Sequence, residues 1–133
     1  VTEVVPLIVL CSPDLMLAVR VEGVAVALGC RLRTAESAAA AAGIVAEAAP
    51  VAAVIDLAAP GLALAETVAA LRRLDAALFV LGFFPHVQRE LGAAGRAAGC
   101  SLVVPRSRFM AELPQLLRQA VEAGGTAARS TEK

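Results

Sequence analysis

The chain has 133 residues, 59% of them hydrophobic and 31 of them Ala, and its 12 basic and 12 acidic residues give a formal net charge of zero. One ordinary domain of ~100–150 residues accounts for that length, and the apolar content excludes disorder of the whole chain. The charge balance excludes a strongly basic nucleic-acid footprint and an acidic tail.

The elements follow one another legibly. Val4 to Cys11 is a continuous apolar run of strand length, as expected for a strand buried on both faces of a parallel sheet. Ser12-Pro13-Asp14 then opens a helix: Ser12 is a capping residue, Pro13 suits the first helical position, and Asp14 favours the positive helix end. That helix is predicted to reach about Leu28, with Gly29 as its stop. Cys30 to Arg33 reads as a second strand. Thr34 is the expected cap of an Ala-rich second helix that ends before Pro50. Val51 to Leu57 is a third strand, followed by the turn Ala58-Ala59-Pro60-Gly61. A third helix over Leu64 to Leu74 places Leu64, Val68, Leu71 and Leu74 on one face.

Ala77 to Leu81 reads as strand four, Gly82-Phe83-Phe84-Pro85 as a loop, and His86 to Ala98 as helix four. Ser101 to Val104 is strand five, broken by Pro105. Helix five, capped by Ser107, carries Phe109, Leu113, Leu116, Leu117 and Val121 at helical spacing. Pro114 within it predicts a kink or a late start. The domain is expected to span residues 1–123, with 124–133 as a disordered tail after Gly124-Gly125.

Five strands alternating with five helices predict an α/β, flavodoxin-like (βα)5 three-layer sandwich with parallel sheet order 2-1-3-4-5. No run approaches the ~20 apolar residues of a membrane span, and the N-terminal stretch lacks the basic flank of an export signal. Three widely spaced cysteines make neither a disulfide framework nor a zinc site, so a reducing, cytoplasmic setting is expected. Cys11, Cys30 and Cys100 are expected as small buried hydrophobes.

In such a sheet the functional residues stand at the carboxyl ends of the strands. They are Cys11, Ser12 and Asp14 after strand one, Asp56 after strand three, Gly82 after strand four, and Arg106 after strand five. The segment Val54-Ile55-Asp56-Leu57-Ala58-Ala59-Pro60-Gly61, with Pro-Gly four residues after the Asp, resembles the phosphoacceptor strand of response regulator receiver domains, the CheY-like superfamily. Gly99 to Arg106 is similar to that family's Gly-to-Lys-Pro segment, and the likeness runs from about Pro6 to Val121. The resemblance places Asp56 at the phosphoacceptor position of a two-component phosphorelay.

The sequence departs from that pattern where the chemistry resides. The resemblance implies two acidic residues after strand one, a Thr or Ser after strand four, and Lys-Pro after strand five. Cys11-Ser12, Gly82 and Arg106-Ser107 stand there instead. Magnesium takes hard oxygen ligands in near-octahedral geometry, and one carboxylate beside a hydroxyl and a thiol is a poor set. The expectation is a pseudo-receiver, not an enzyme, with no metal and no cofactor. With no metal to neutralise it, Asp56 is expected to pair with Arg106, whose planar guanidinium suits a carboxylate.

Such a module acts through a protein partner or a homodimer. The surface the resemblance implies is helix four, strand five and helix five, with Arg89, Glu90, Arg96, Arg108, Glu112 and Arg118. Direct contact with nucleic acid or membrane is not expected. The alternatives are a working phosphoacceptor receiver using Asp56 and, further off, a small-ligand-binding flavodoxin-like protein. Other signals read blandly. His86 is a surface residue at a helix start, and Ser12 lacks a hydrolase context. Gly92, Gly95 and Gly99 do not form a dinucleotide fingerprint. Phe83-Phe84 is either a partner-binding pair or part of the core.

Overall fold

The computed structural model describes residues 5–131. Val4, at the head of the first predicted strand, and the last two residues of the predicted tail lie outside them. The elements in chain order are β1 (Leu7–Cys11), α1 (Leu15–Ala27), β2 (Arg31–Ala35), α2 (Ala38–Ala48), β3 (Ala52–Asp56), α3 (Leu64–Leu74), β4 (Phe79–Phe84), α4 (Arg89–Ala98), β5 (Leu102–Pro105), α5 (Arg106–Ala111) and α6 (Leu113–Thr131). All strand pairings are parallel and the sheet order is β2-β1-β3-β4-β5, as expected.

The central strands bury both faces, and alternation along them feeds two cores. Val9, Cys11, Ala53, Ile55, Val80 and Phe84 face α2, α3 and α4. Ile8, Leu10, Val54, Leu81, Phe83 and Val104 face α1, α5 and α6. β2 is an edge strand with Arg31 and Arg33 exposed, which discourages edge-to-edge pairing.

Several boundaries differ from expectation. Asp14, not Ser12, is the N-cap of α1, accepting from the Leu17 N–H. Thr34 lies in β2 opposite Leu10, and Ser37 caps α2 through the Ala40 N–H. Gly82-Phe83-Phe84 is strand, not loop: these residues pair with Ile55 and Asp56 on one side and with Val103 to Pro105 on the other. Both phenylalanines are core. Phe83 stacks on Phe109 at 4.4 Å between centroids, and Phe84 lies against Gly92 on the opposite face. The helix after β4 starts at Arg89, because Pro85 to Gln88 closes a turn first.

Pro105 ends β5 and serves as the N-cap position of α5, in place of Ser107. The predicted fifth helix is two, divided at Glu112 just before Leu113-Pro114. α6 continues past residue 123 through Gly124, which is buried against the Val51 backbone where a side chain has no room. At the amino end of β4 and β5, Arg72 of α3 donates to the carbonyls of Gly99, Ala76 and Leu78 and to Ser101 Oγ.

Candidate functional site

The site lies where β1 and β3 run side by side while their connections depart in opposite directions, the place at which this topology opens a crevice. Ser12 directly follows β1 and is 3% exposed. Asp56 ends β3. Each follows a residue directed into the α2–α4 core (Cys11 and Ile55), so strand alternation turns both toward α1 and α5. There Ser12 Oγ–H donates to Asp56 Oδ2 at 3.2 Å, and the Ala58 N–H donates to Asp56 Oδ1 at 3.1 Å. Ser12 Oγ in turn accepts the Asp14 N–H at 3.2 Å.

Asp14 closes the chain of contacts. Its Oδ1 accepts from the Leu17 N–H and its Oδ2 from Arg106 Nη2 at 3.3 Å. The Leu17 N–H, and then Arg106, hold its carboxyl below the usual carboxylate range, with burial acting the other way. The expected pair of Arg106 with Asp56 is therefore replaced by Arg106 with Asp14. The reason is position. Arg106 is the first residue of α5, beside the start of α1, and its guanidinium lies over the Phe83 ring at 5.6 Å. Both Asp56 oxygens already have donors.

The structure thus brings together Ser12, Asp14, Asp56 and Arg106. It separates Cys11 and Gly82 from them. Cys11 is fully buried in the α2–α4 core, and burial pushes its thiol up to about 12. Gly82 lies one residue before Phe83, the register neighbour of Asp56, and a Cβ there would meet Leu57 on that same core face. Sequence reasoning missed two contributors: Phe83 as the ring beneath Arg106, and the Ala58 N–H. The second was foreshadowed by the Asp56-to-Gly61 turn, since Asp commonly accepts from the backbone two residues on.

A divalent cation is the group this fold family implies, and the donors here do not fit it. Of two carboxylates, Asp14 is neutralised by a guanidinium and committed to capping α1. The Ser12 hydroxyl gives its proton to Asp56 and one lone pair to the Asp14 N–H. A divalent cation taking Asp14 would compete with Arg106 and with the α1 cap, which leaves Asp56 as the one uncommitted carboxylate of a site that needs near-octahedral oxygen ligands. Among the described residues no group of three or more His, Cys, Asp or Glu side chains is positioned for a metal.

No protein-family model matches this chain, and no curated protein matches it. Solved structures do. The signal receiver domain of an HD domain-containing protein from Pseudomonas fluorescens superposes with a TM-score of 0.81 at 18% identity, covering 97% of this chain and 96% of that one. A CheY-like response regulator receiver domain protein from Methanospirillum hungatei gives 0.79 at 11%, covering 92% and 98%. NtrX from Brucella abortus gives 0.80 at 17%, covering 97% of this chain but 29% of NtrX. The fold is that of receiver domains. The chain spans under a third of NtrX, and among the described residues no helix is long and apolar enough to cross a membrane.

Proposed function

We propose that this chain is an atypical receiver-like signalling module, non-catalytic and not phosphorylated by the magnesium-dependent route, that acts by binding a protein. One observation carries the reading: the hydrogen-bonded series Arg106–Asp14–Ser12–Asp56, around the residue to which the family resemblance assigns the phosphoacceptor position. Phosphoryl transfer to a carboxylate needs positioned cations to offset developing charge. Here the cation nearest the site serves a capping carboxylate instead. Gly82 stands where the family resemblance calls for a hydroxyl and has no side chain, and β4 runs on past it through Phe83 and Phe84. Arg89, Glu90, Arg96, Arg108, Glu112 and Arg118 are all exposed on α4, α5, α6 and the intervening residue, supplying a charged surface for a protein partner. Three free thiols agree with a reducing compartment.

The test is incubation with acetyl phosphate and magnesium, read by intact mass, with magnesium titrated against the amide resonances of Asp56, Gly82 and Arg106. The expected result is no phosphoaspartate and no saturable shift at millimolar magnesium. Phosphoaspartate that disappears in Asp56→Asn would overturn the proposal in favour of a working phosphoacceptor. That second reading has its own support, because the Asp56 carboxylate sits at the strand end and is only half-buried.

A further inference from the structure

We propose that α1 is a self-association surface, along which a second copy of this chain packs its own α1 in parallel about a two-fold axis. The proposal stands whether or not Asp56 ever carries a phosphoryl group. It starts from an anomaly of patterning. A surface helix normally sets polar residues opposite its buried stripe. α1 buries Leu17, Val21 and Ala25, yet its opposite side consists of Leu15, Met16, Val19, Gly23, Val26 and Ala27. Leu15, Met16, Val19 and Val26 are 76%, 83%, 72% and 64% exposed, and they make up most of the exposed large apolar side chains among the described residues. Among the described residues no other helix concentrates them so, and contiguous exposed apolar surface marks an interaction site.

The charges at the two edges of this face choose the occupant. One edge carries Glu22, above a shallow groove shared with Leu32 and Arg33 of β2. The other carries Arg20, above a groove shared with Arg106 and Met110 of α5. Parallel two-fold packing places the Arg20 edge of each copy against the Glu22 edge of the other, giving two attractive pairs. Antiparallel packing sets Arg20 near Arg20 and Glu22 near Glu22. At Arg20 and Glu22, the charges borne by α1 itself, the face therefore complements itself in one orientation. Gly23, with nothing within 4 Å of a built Cβ, leaves room for a second helix to approach closely. A 13-residue helix is ~20 Å long, so this contact is small beside the ~800 Å² per partner of a standard stable interface. The association is accordingly weak and concentration-dependent.

Sedimentation equilibrium of the full chain, from low micromolar to near-millimolar concentration, tests this. The expected result is a monomer–dimer equilibrium that Val19→Glu abolishes, with an unchanged far-UV spectrum showing that the variant folds. Arg20→Glu alone and Glu22→Arg alone each weaken the dimer by about ten-fold, as two attractive rim pairs become repulsive, and the double exchange restores it. Val26→Cys gives a disulfide-linked dimer on mild oxidation, which parallel order permits and antiparallel order forbids. A wild-type chain that stays monomeric throughout overturns the proposal and leaves α1 to an unrelated partner. A dimer indifferent to Val19→Glu, a double exchange as weak as the singles, or failure of the Val26→Cys link overturns it as well.

Discussion

Ser12 uses its hydroxyl in both directions, donating to Asp56 and accepting from the Asp14 N–H, while almost wholly buried. Removing it leaves a carboxylate oxygen and a backbone donor short of partners, and hydrogen bonds to charged groups contribute ~1.5–3 kcal/mol. Ser12→Ala is therefore expected to destabilise the fold by about 2 kcal/mol, seen as a lower urea midpoint at constant slope. Ser12, Asp14, Asp56 and Arg106 were legible in the sequence but not their pairing, and Cys11 and Gly82, expected beside them, face the other core. Arg106 and Asp56 look like partners when each is assigned only to a strand end. The choice of Asp14 depends on α5 starting at Arg106 itself, next to the N-cap of α1, and on Phe83 lying beneath the guanidinium. Neither is encoded locally.

At the scale of elements, three glycines with the same helical setting separate packing from propensity. Gly43 is exposed in α2 with nothing within 4 Å of a built Cβ, whereas Gly92 would place one 2.7 Å from Phe84 and Gly95 one 2.8 Å from Leu57. Gly43→Ala is expected to stabilise by roughly 0.5–1 kcal/mol through helix propensity. Gly92→Ala and Gly95→Ala are expected to destabilise, since overpacking costs ~1–3 kcal/mol and outweighs the same gain. Thermal unfolding of the three variants reads out the opposite signs. These elements also show what pattern can and cannot reveal. The runs of β1 and β3 were legible because strands buried on both faces leave an unbroken signature, which the exposed edge strand β2 lacks. The end of β4 was not, because Gly82 and Pro85 flank the double Phe and mimic a loop. Only registration with Asp56 and Pro105 makes it strand. Thr34 and Ser37 are both capping types, and the pairing of Thr34 with Leu10 decides between them.

For the whole molecule, burial of thiols makes alkaline pH a stress. Burial raises Cys11 from 9.0 to about 12 and Cys100 to about 11, a nearby Arg72 pulling the latter back slightly. Between about pH 9 and 12 the unfolded chain releases thiol protons that the folded chain retains, so stability is complete below that window and falls as pH rises through it. Urea midpoints measured near pH 8 and pH 10 are expected to drop, and Cys11→Ala should flatten the drop. Stiffness is distributed just as unevenly. Arg72 ties the C-terminal end of α3 to the beginnings of two strands, at the pole opposite Asp56. That base is riveted by one guanidinium reaching four acceptors, whereas the opposite rim is a series, Arg106–Asp14–Ser12–Asp56, in which each link is one hydrogen bond. Losing one link opens the rim while the base stays tied, so amide exchange is expected to be faster around Asp14 and Asp56 than around Gly99 and Ser101.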